Sequence, residues 1–403
     1  MKLNTAVFFG GESVEHEVSI ISAHQAINAL DPEKYNIIPI YVSKDRRFYI
    51  SEKGLLRDMH SFTDLKALCE KCEQVTFVHV KNQVRIQSVS SSLFGPHIYG
   101  TIDVAIPIMH GTNGEDGTIQ GYLEMLRIPY AGCDLYGAAV GQDKVLQKKI
   151  LQACGLPVAD WFYTYGYEMD EKPEKILEQA DALGYPLVLK PSRTGSSIGI
   201  HIAHNADEYI RCFHDTRQYD EKVITEKGII PLTEINCSVL GDFTDAKASL
   251  LEEVSHSDED ELLTFNDKYL GNGGKGTKNG VKSAGMASAG RIVPAPVSKE
   301  LTAKIQALSL KTFHDLGAAG VCRIDFLLNS ETEEIYVNEI NTIPGSLAYY
   351  LWTPLGLSFT QLMDRLVALA LERERRRNQL TYSFETNILE NFSEHNGTKA
   401  VKH

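Results

Sequence analysis

Two apolar stretches late in the chain, AGVCRIDFLLN and IYVNEIN, are separated by only a few polar residues. This pattern predicts a β-hairpin with the turn NSETEE. Residues i and i+2 of a strand share one face, so Arg323 and Asp325 form one pair and Glu339 and Asn341 form another. If the two faces coincide, three oxygen-bearing side chains and one guanidinium converge. A solvated edge strand is the alternative for Glu339 and Asn341.

Carboxylate and amide oxygens in this arrangement suit a hard divalent cation. Mg²⁺ takes oxygen ligands and often keeps substrate phosphates in its remaining positions. The hairpin therefore predicts a Mg²⁺ site formed by Asp325, Glu339 and Asn341. A purely structural cluster of polar side chains is the alternative.

A cation site of this kind calls for a phosphate, yet the chain has no GxxxxGK[ST] motif of the Walker type. It has instead LVLKPSRTGSSIGI, in which Lys190 ends an apolar strand and a Gly/Ser loop follows. Backbone N–H groups of such a loop, Ser197 among them, can approach a polyphosphate closely. Lys144 and Lys268 are further candidate phosphate ligands, with an ordinary surface lysine as the alternative for each.

Three more candidate residues lie at the ends of predicted strands. Glu226 ends a strand in TEKGIIPLTE, where the backbone can meet an adenine edge, and Glu234 can reach ribose hydroxyls. His110 lies at the carboxyl end of TIDVAIPIMHG, the place where open α/β sheets bind ligands. A plain strand with exposed acids, and a loop histidine without a role, are the alternatives.

The composition disfavours several classes of partner. The 403 residues carry a formal net charge of −13, and nucleic-acid binding depends largely on cationic contacts to phosphate. No apolar stretch approaches the roughly 20 residues of a spanning helix, and the N-terminal apolar run is too short for a signal peptide. The 7 cysteines, an odd number in a long chain, fit reduced thiols. These features predict a cytoplasmic protein that binds neither nucleic acid nor membrane.

Strands alternate with helices in the first third of the chain, which predicts a parallel α/β sheet in a unit that closes near Gly132. The polar region up to about Ser92 is predicted to be irregular. A second unit holds further strands, the Gly/Lys-rich stretch GNGGKGTKNGVKSAG and two long helices, and a polar tail starts near Asn378.

Five motifs now stand in a recognisable order: GGESVEHEVS, HGTNGEDGTIQG, DKVLQKKILQACGLPV, KPSRTGSSIGI and RIDF…NEINTIPG. With them the chain resembles the D-alanine–D-alanine ligases and their D-Ala–D-X relatives in the ATP-grasp superfamily, from about Thr5 to about Leu371. The resemblance implies an α/β and α+β fold, a parallel N-terminal α/β domain followed by a two-subdomain ATP-grasp fold. The implied bounds are 1–135 for the N-terminal domain, 136–226 and 227–375 for the central and C-terminal subdomains, and 376–403 for the tail.

The resemblance also implies a reaction for peptidoglycan synthesis. ATP phosphorylates the carboxylate of a first D-alanine, and the amine of a second D-amino acid attacks the resulting acyl phosphate. A carboxylate is a poor acyl donor because its leaving group would be oxide, and phosphorylation supplies a better one. The implied cofactors are ATP and two Mg²⁺ ions, with Mn²⁺ able to replace Mg²⁺. The family habit implies a homodimer.

Residue roles follow from the same resemblance. Arg323 and the backbone N–H of Gly345 are the expected oxyanion hole. Glu17 is the acid expected to hold the first D-alanine ammonium, with Ser196 and Tyr269 as its hydrogen-bonded partners. His110 is expected near the substrates. The nucleotide contacts are expected from Lys144, Lys190 and Lys268 on the phosphates and from Glu226, Ile229 and Glu234 on adenine and ribose; the metal ligands are Asp325, Glu339 and Asn341.

The chain departs from the family pattern in two places. Tyr350 stands where the family commonly has a serine that holds the second substrate's carboxylate, so we expect its phenol to contact the acceptor substrate, with packing in the core as the alternative. Residues 271–285 form a longer, Gly/Lys-rich lid that we expect to be mobile without nucleotide. A ligase with another acceptor such as D-serine is therefore an alternative, whereas Tyr269 counts against D-lactate. A catalytically silent ATP-binding regulator is a further alternative, which buried paired carboxylates disfavour because they are costly without a cation.

Overall fold

Three β-sheets follow one another along the chain in the computed structural model, which describes residues 2–254 and 291–385. The described strands are β1 (Leu3–Gly10), β2 (Tyr35–Val42), β3 (Phe48–Ile50), β4 (Glu73–Val80), β5 (Gln83–Ser92), β6 (Gly95–Ile102), β7 (Val104–Ile108), β8 (Trp161–Tyr165), β9 (Leu187–Pro191), β10 (His201–Ala203), β11 (Lys222–Lys227), β12 (Leu232–Gly241), β13 (Ala246–Val254), β14 (Arg291–Ile292), β15 (Gly320–Asn329) and β16 (Ile335–Asn341).

Helices cover the sheets and connect them. The described α-helices are α1 (His16–Ala29), α2 (Leu65–Lys71), α3 (Thr118–Met125), α4 (Leu135–Gln142), α5 (Lys144–Ala153), α6 (Gly166–Glu171), α7 (Pro173–Leu183), α8 (Ala206–Thr216), α9 (Lys299–Asp315) and α10 (Phe359–Arg377). Short 3₁₀ turns occur at Leu55–Arg57, Met59–Thr63, Gly345–Leu351 and Thr353–Leu355. Within the described ranges, no helix is both long enough and apolar enough to cross a membrane.

The first sheet is mixed, with the order β6-β5-β4-β3-β2-β1-β7. Strand β1 pairs in parallel with β2 and β7, as the alternating strands and helices predict. The prediction of an irregular region up to Ser92 is wrong, because β3, β4 and β5 pair antiparallel there, and β6 continues the meander beyond it. In β5 the buried residues Val84, Ile86 and Ser88 alternate with half-buried polar ones, a two-residue period that the polar face conceals.

Apolar residues on both faces of β1 make it the centre of the first unit. Val7 and Phe9 belong to a core that includes residues of α1 and α10, and Phe8 belongs to a second core that includes residues of α3. A strand buried on both faces has a continuous apolar sequence, here TAVFFGG. Because such strands end together at one edge of the sheet, their carboxyl-terminal loops meet there.

The second sheet has the order β10-β9-β11-β8 and the third has the order β14-β13-β12-β15-β16. The predicted hairpin is confirmed, since β15 and β16 pair antiparallel. On β15 the buried Cys322, Ile324 and Phe326 belong to a core that includes residues of α9, so Arg323 and Asp325 between them face the opposite side of the sheet. We propose the bounds 1–135, 136–226 and 227–375 for the three units that carry these sheets.

Candidate active site

One cleft receives side chains from the units of all three sheets. Glu15 and His110 come from the first unit, Ser196 from the second, and Arg323 and Gly345 from the third. Nine residues singled out from the sequence line it: His110, Lys144, Ser196, Glu234, Arg323, Asp325, Glu339, Asn341 and Gly345.

The hairpin brings its polar residues to one place. Arg323 lies opposite Asn341 and Asp325 opposite Glu339 in the strand register, so the two predicted faces coincide. Arg323 donates from Nε and Nη2 to the two oxygens of Asp325, at 2.6 and 2.7 Å. Asn341 Nδ2 donates to Asp325 Oδ2 at 2.9 Å, and Lys144 Nζ lies 3.1 Å from Glu339 Oε2.

The same donor set fits Mg²⁺. Nowhere in residues 2–254 and 291–385 do three His, Cys, Asp or Glu side chains converge as a metal-binding group. A cation in the cleft would therefore rest on two carboxylates, Asp325 and Glu339, and the amide oxygen of Asn341. Mg²⁺ is commonly held by one or two carboxylates, with water and substrate phosphates completing its octahedron.

Lys144 is positioned by the start of α5. The Asp143 carboxylate caps this helix by accepting from the N–H groups of Val145 and Leu146, at 3.0 and 3.1 Å. Such a cap satisfies N–H groups that lack a partner within the helix. Lys144 Nζ then reaches both Glu339 and the carbonyl oxygen of Thr194 in the Gly/Ser loop, the latter at 2.9 Å.

A buried charge cluster lies beside this loop. Glu226 is only 2% exposed, and its carboxylate lies 2.9 Å from Lys190 Nζ and 3.2 Å from Lys148 Nζ. Lys190 Nζ also donates to Asn338 Oδ1 at 2.9 Å. Burial alone would raise the pKa of Glu226, but the two lysines outweigh it and hold that pKa below its ordinary value. Each lysine thus gives the buried carboxylate an ion-pair partner.

The side chain of Glu226 belongs to this cluster, and the contact of its backbone with an adenine edge stays a prediction. Its side chain does not line the cleft, because it is occupied by Lys148 and Lys190. Lys148 is not among the residues that the sequence predicted for the site. The available indication was its position one helical turn after Lys144, which places both lysines on the same, buried face of α5. Ser197 and Ile229 also lie outside the lining of the cleft, and their nucleotide contacts remain a prediction.

The glutamate of this motif that lines the cleft is Glu15, whereas Glu17, which was expected to hold the substrate ammonium, lies away from the cleft. Glu15 is 5% exposed and accepts a hydrogen bond from Ser196 Oγ. Gly111, at φ +72°, makes room for it, since a Cβ there would lie 2.7 Å from Glu15 Oε2. Glu17 pairs instead with Lys44 at the surface, and its side chain is 65% exposed.

Helical phase explains this difference. Position 17 shares its face of α1 with Ile21 and Asn28, both exposed. Glu15 immediately precedes the first residue of α1 and is buried. The signal available in the sequence was that Glu15 falls in the loop between a buried strand and a helix, where such sheets bind ligands.

The turn after the hairpin is held by residues of the first unit. His110 Nε2 and Ser22 Oγ are 3.0 Å apart, and the same hydroxyl accepts from the backbone N–H of Ser346 at 3.2 Å. Glu115 Oε1 accepts from the N–H of Ile343 at 3.0 Å. These contacts fix the backbone on both sides of Gly345.

Burial controls the charge of the groups that hold this turn. It lowers the pKa of His110 to about 4, so the imidazole is neutral at physiological pH. Burial, followed by the nearby Glu15, raises the pKa of Glu115 to about 8. Backbone strain accompanies this order: Ser346, Leu347 and Ala348 have φ values of 53°, 51° and 49°. Left-handed backbone in non-glycine residues persists only where surrounding contacts enforce it.

Tyr350 lies behind the cleft and does not line it. Its hydroxyl accepts from Arg291 Nη1 at 2.6 Å and donates to Glu252 Oε2 at 3.1 Å. The expected direct contact of this phenol with the acceptor substrate is therefore not the arrangement observed. Arg291, which the sequence analysis did not select, lines the cleft in its place. Lys268, Tyr269 and the lid 271–285 lie outside the described residues.

The family models match both parts of the chain. Residues 4–133 match the family described as D-ala D-ala ligase N-terminus, and residues 150–368 match D-ala D-ala ligase C-terminus. The fold is shared with the D-alanine–D-alanine ligase from Coxiella burnetii, with a TM-score of 0.76, 28% identity and coverage of 94% of this chain and 96% of that one. The VanG D-Ala:D-Ser ligase from Enterococcus faecalis gives a TM-score of 0.74, 27% identity and coverage of 92% and 100%.

Sequence relatives cover the chain almost end to end. The chain is 37% identical over 391 residues to a D-alanine–D-alanine ligase of Thermosipho melanesiensis, a match covering 96% of this chain and 98% of the relative. It is 32% identical over 394 residues to a D-alanine–D-alanine ligase of Geobacillus kaustophilus, covering 96% and 99%. By sequence and by fold, this chain belongs to the D-alanine–D-alanine ligase family.

Proposed function

We propose that this protein joins two D-alanines in an ATP-dependent reaction that passes through an acyl phosphate. The γ-phosphoryl group of ATP moves to the carboxylate of the first D-alanine, and ADP is released. The amine of the second D-alanine attacks the activated carbonyl, a proton leaves the nitrogen, and phosphate departs. The observation that supports this most strongly is the convergence of the hairpin carboxylates, Lys144, Glu15 and Arg323 in one cleft.

Glu15 and Ser196 bind the first amino acid in this proposal. A buried carboxylate is a suitable partner for the substrate ammonium, and the Ser196 hydroxyl holds that carboxylate in place. Ser196 itself has φ 56°, so the loop presents its side chain through an uncommon backbone conformation.

We expect Glu15→Gln to raise the KM for the first amino acid about ten- to a hundred-fold, because it removes a hydrogen bond between charged groups. Glu17→Gln is the matched control, since the Glu17 carboxylate pairs with Lys44 at the surface. Initial rates with separate fits for the two amino-acid sites measure both variants. Equal KM changes in the two variants would remove Glu15 from the subsite.

In this proposal the phosphates of ATP are bound by lysine side chains and by the ligands of the divalent cation. Lys144 contacts the Gly/Ser loop through the carbonyl oxygen of Thr194, and Lys190 lies near the end of the strand before that loop; both supply positive charge to the phosphates in this proposal. Asp325, Glu339 and Asn341 would hold Mg²⁺, which when bound neutralises negative charge on the transferring phosphoryl group. Glu234, which lines the same cleft, is our proposed ribose contact.

Arg323 and the N–H of Gly345 form the proposed oxyanion hole. Arg323 comes from β15 and Gly345 from the turn after β16, and both line the cleft. The guanidinium of Arg323 donates two hydrogen bonds to Asp325, its neighbour on the same face of β15, and this ion pair orients the arginine at the cleft. Removing one oxyanion donor typically costs about 3 kcal/mol of transition-state stabilisation.

Several finer features of the proposal rest on the family resemblance alone. They are two divalent cations per site, replacement of Mg²⁺ by Mn²⁺, nucleotide contacts from Ser197 and Ile229, and a homodimer. A silent ATP-binding regulator would not require an acid and a serine at an amino-acid subsite, and this observation favours the enzyme.

The direct test is ATP-dependent phosphate release by the purified protein across pairs of D- and L-amino acids, with the products identified by mass. We expect release with D-alanine alone and a product of the mass of D-alanyl-D-alanine. Release only when D-serine is added would establish the other acceptor. Nucleotide binding without release for any pair would contradict the ligase proposal.

A further inference from the structure

A second arginine lies in the cleft beside Arg323, on the short edge strand β14. Arg291 pairs with Val254 in the strand register, and its side chain is 9% exposed. Its Nη1 donates to Glu252 Oε1 at 2.8 Å and to the Tyr350 hydroxyl at 2.6 Å. The guanidinium is thereby held from one side.

Glu252 is the buried anchor of this arrangement. It has no exposed surface, and it accepts hydrogen bonds from Arg291, from Tyr350 and from Asn236 Nδ2, the last at 3.0 Å. A carboxylate with this many donors is fixed in orientation, and it fixes its partners. The Tyr350 hydroxyl has one proton and donates it in the hydrogen bond to Glu252, so it cannot donate a hydrogen bond to a substrate as well.

One edge of the Arg291 guanidinium group, the edge that contains Nε, lacks a hydrogen-bond partner at Nε among the described residues. This Nε atom is buried. A buried, unpaired N–H of a charged group is costly, and such groups in native proteins normally have a partner. The edge containing Nε is one that can grip a carboxylate with two parallel hydrogen bonds.

The chemistry of the reaction indicates which carboxylate that is. The first amino acid's carboxylate is phosphorylated and then becomes the peptide carbonyl, so a lasting cationic contact would oppose its activation. The second amino acid keeps its carboxylate to the end. Arg291 lines the cleft together with Gly345, the proposed oxyanion donor, and is held by Tyr350 from the turn that follows it.

We infer that Arg291 binds the carboxylate of the second amino acid, and that Glu252 and Tyr350 position its guanidinium. The inference rests on the proposed ligase function. It assigns the role of the family's usual serine to a residue from a different strand, and it makes Tyr350 a positioning residue. The acceptors that fit are amino acids with a free carboxylate.

A competition between two acceptors tests this directly. D-Alaninamide lacks the carboxylate, so it can act only as the acceptor when mixed with D-alanine and ATP. The ratio of D-alanyl-D-alanine to D-alanyl-D-alaninamide, measured by mass, reports discrimination at the acceptor subsite alone. It is insensitive to the amount of active enzyme, and the difference in amine basicity cancels between variants.

We expect Arg291→Gln to lower this product ratio about ten- to a hundred-fold, the value of a lost hydrogen bond between charged groups. Arg291→Lys keeps the charge without the planar fork and is expected to give an intermediate ratio, and it carries the test if Arg291→Gln fails to fold. Tyr350→Phe should lower the ratio less, because Glu252 still holds Arg291.

The control variant is Arg217→Gln, which removes an arginine paired with Asp170 outside the cleft. It should leave the ratio unchanged. An unchanged ratio in both Arg291 variants would overturn the inference while leaving the ligase proposal intact. Absence of any dipeptide product from the unaltered protein would instead be a failure of the proposed function.

Discussion

Glu339→Ala is expected to reduce kcat by roughly a thousand-fold or more while the protein remains folded, because it removes a ligand of the proposed cation site. Glu339 is half-buried at the cleft and contributes little core volume. Its loss also leaves Lys144 without the carboxylate that lies 3.1 Å from its Nζ. The measurement is Mg²⁺-dependent phosphate release, with circular dichroism to verify folding.

Glu331→Ala is the matched control, since this glutamate lies exposed in the turn of the same hairpin. It should retain normal turnover. Asp325→Ala should behave as Glu339→Ala does. It additionally removes the acceptor of two hydrogen bonds that Arg323 donates to Asp325. Near-normal activity of Glu339→Ala at ordinary Mg²⁺ concentrations would show that the hairpin does not hold the cation.

Glu226→Gln is expected to lower the free energy of unfolding by about 3–5 kcal/mol, the usual cost of removing one partner from a buried ion pair. Lys148 and Lys190 are both buried, and without Glu226 their ammonium groups would face one another across a neutral amide. Burial already lowers the pKa of Lys148 in the intact cluster. Urea titration followed by tryptophan fluorescence measures the change.

Two further variants separate charge from packing in this cluster. Glu221→Gln removes a carboxylate whose side chain is 76% exposed, and its unfolding should change little. Combining Glu226→Gln with Lys148→Met removes one charge of each sign, so the double variant should be more stable than Glu226→Gln alone. If Glu226→Gln unfolds at the same urea concentration as the unaltered protein, the cluster is not a stabilising ion pair.

The shared polar face of the hairpin was predictable because its cause is local. A strand has a period of two residues and a short turn favours pairing of its two strands, so each polar pair was predictable, and the register of the hairpin brings Asp325 opposite Glu339. The same local argument would have found β5, whose buried residues alternate as in any half-buried strand. The two-residue period of β5 is present in the sequence, but the many polar residues of this strand make it hard to recognise.

The residues and ion pairs that the sequence did not reveal depend on contacts between distant parts of the chain. Glu226 and Lys148 are far apart in the sequence, and no local pattern indicates that their charges meet in the core. Arg291 lies on a strand of 2 residues, too short to show any periodicity. The choice between Glu15 and Glu17 depended on where α1 begins, and helix boundaries are the least certain part of a prediction from sequence.

Hydrogen bonds that cross between the units mean that the cleft is complete only when all three units are together. Glu15 of the first unit meets Ser196 of the second, and Glu115 meets the backbone of Ile343 in the third. If the gene were split near residue 135 or 227, neither fragment would contain a complete site. Activity would then depend on association of the fragments, so below their dissociation constant it would rise with the square of concentration.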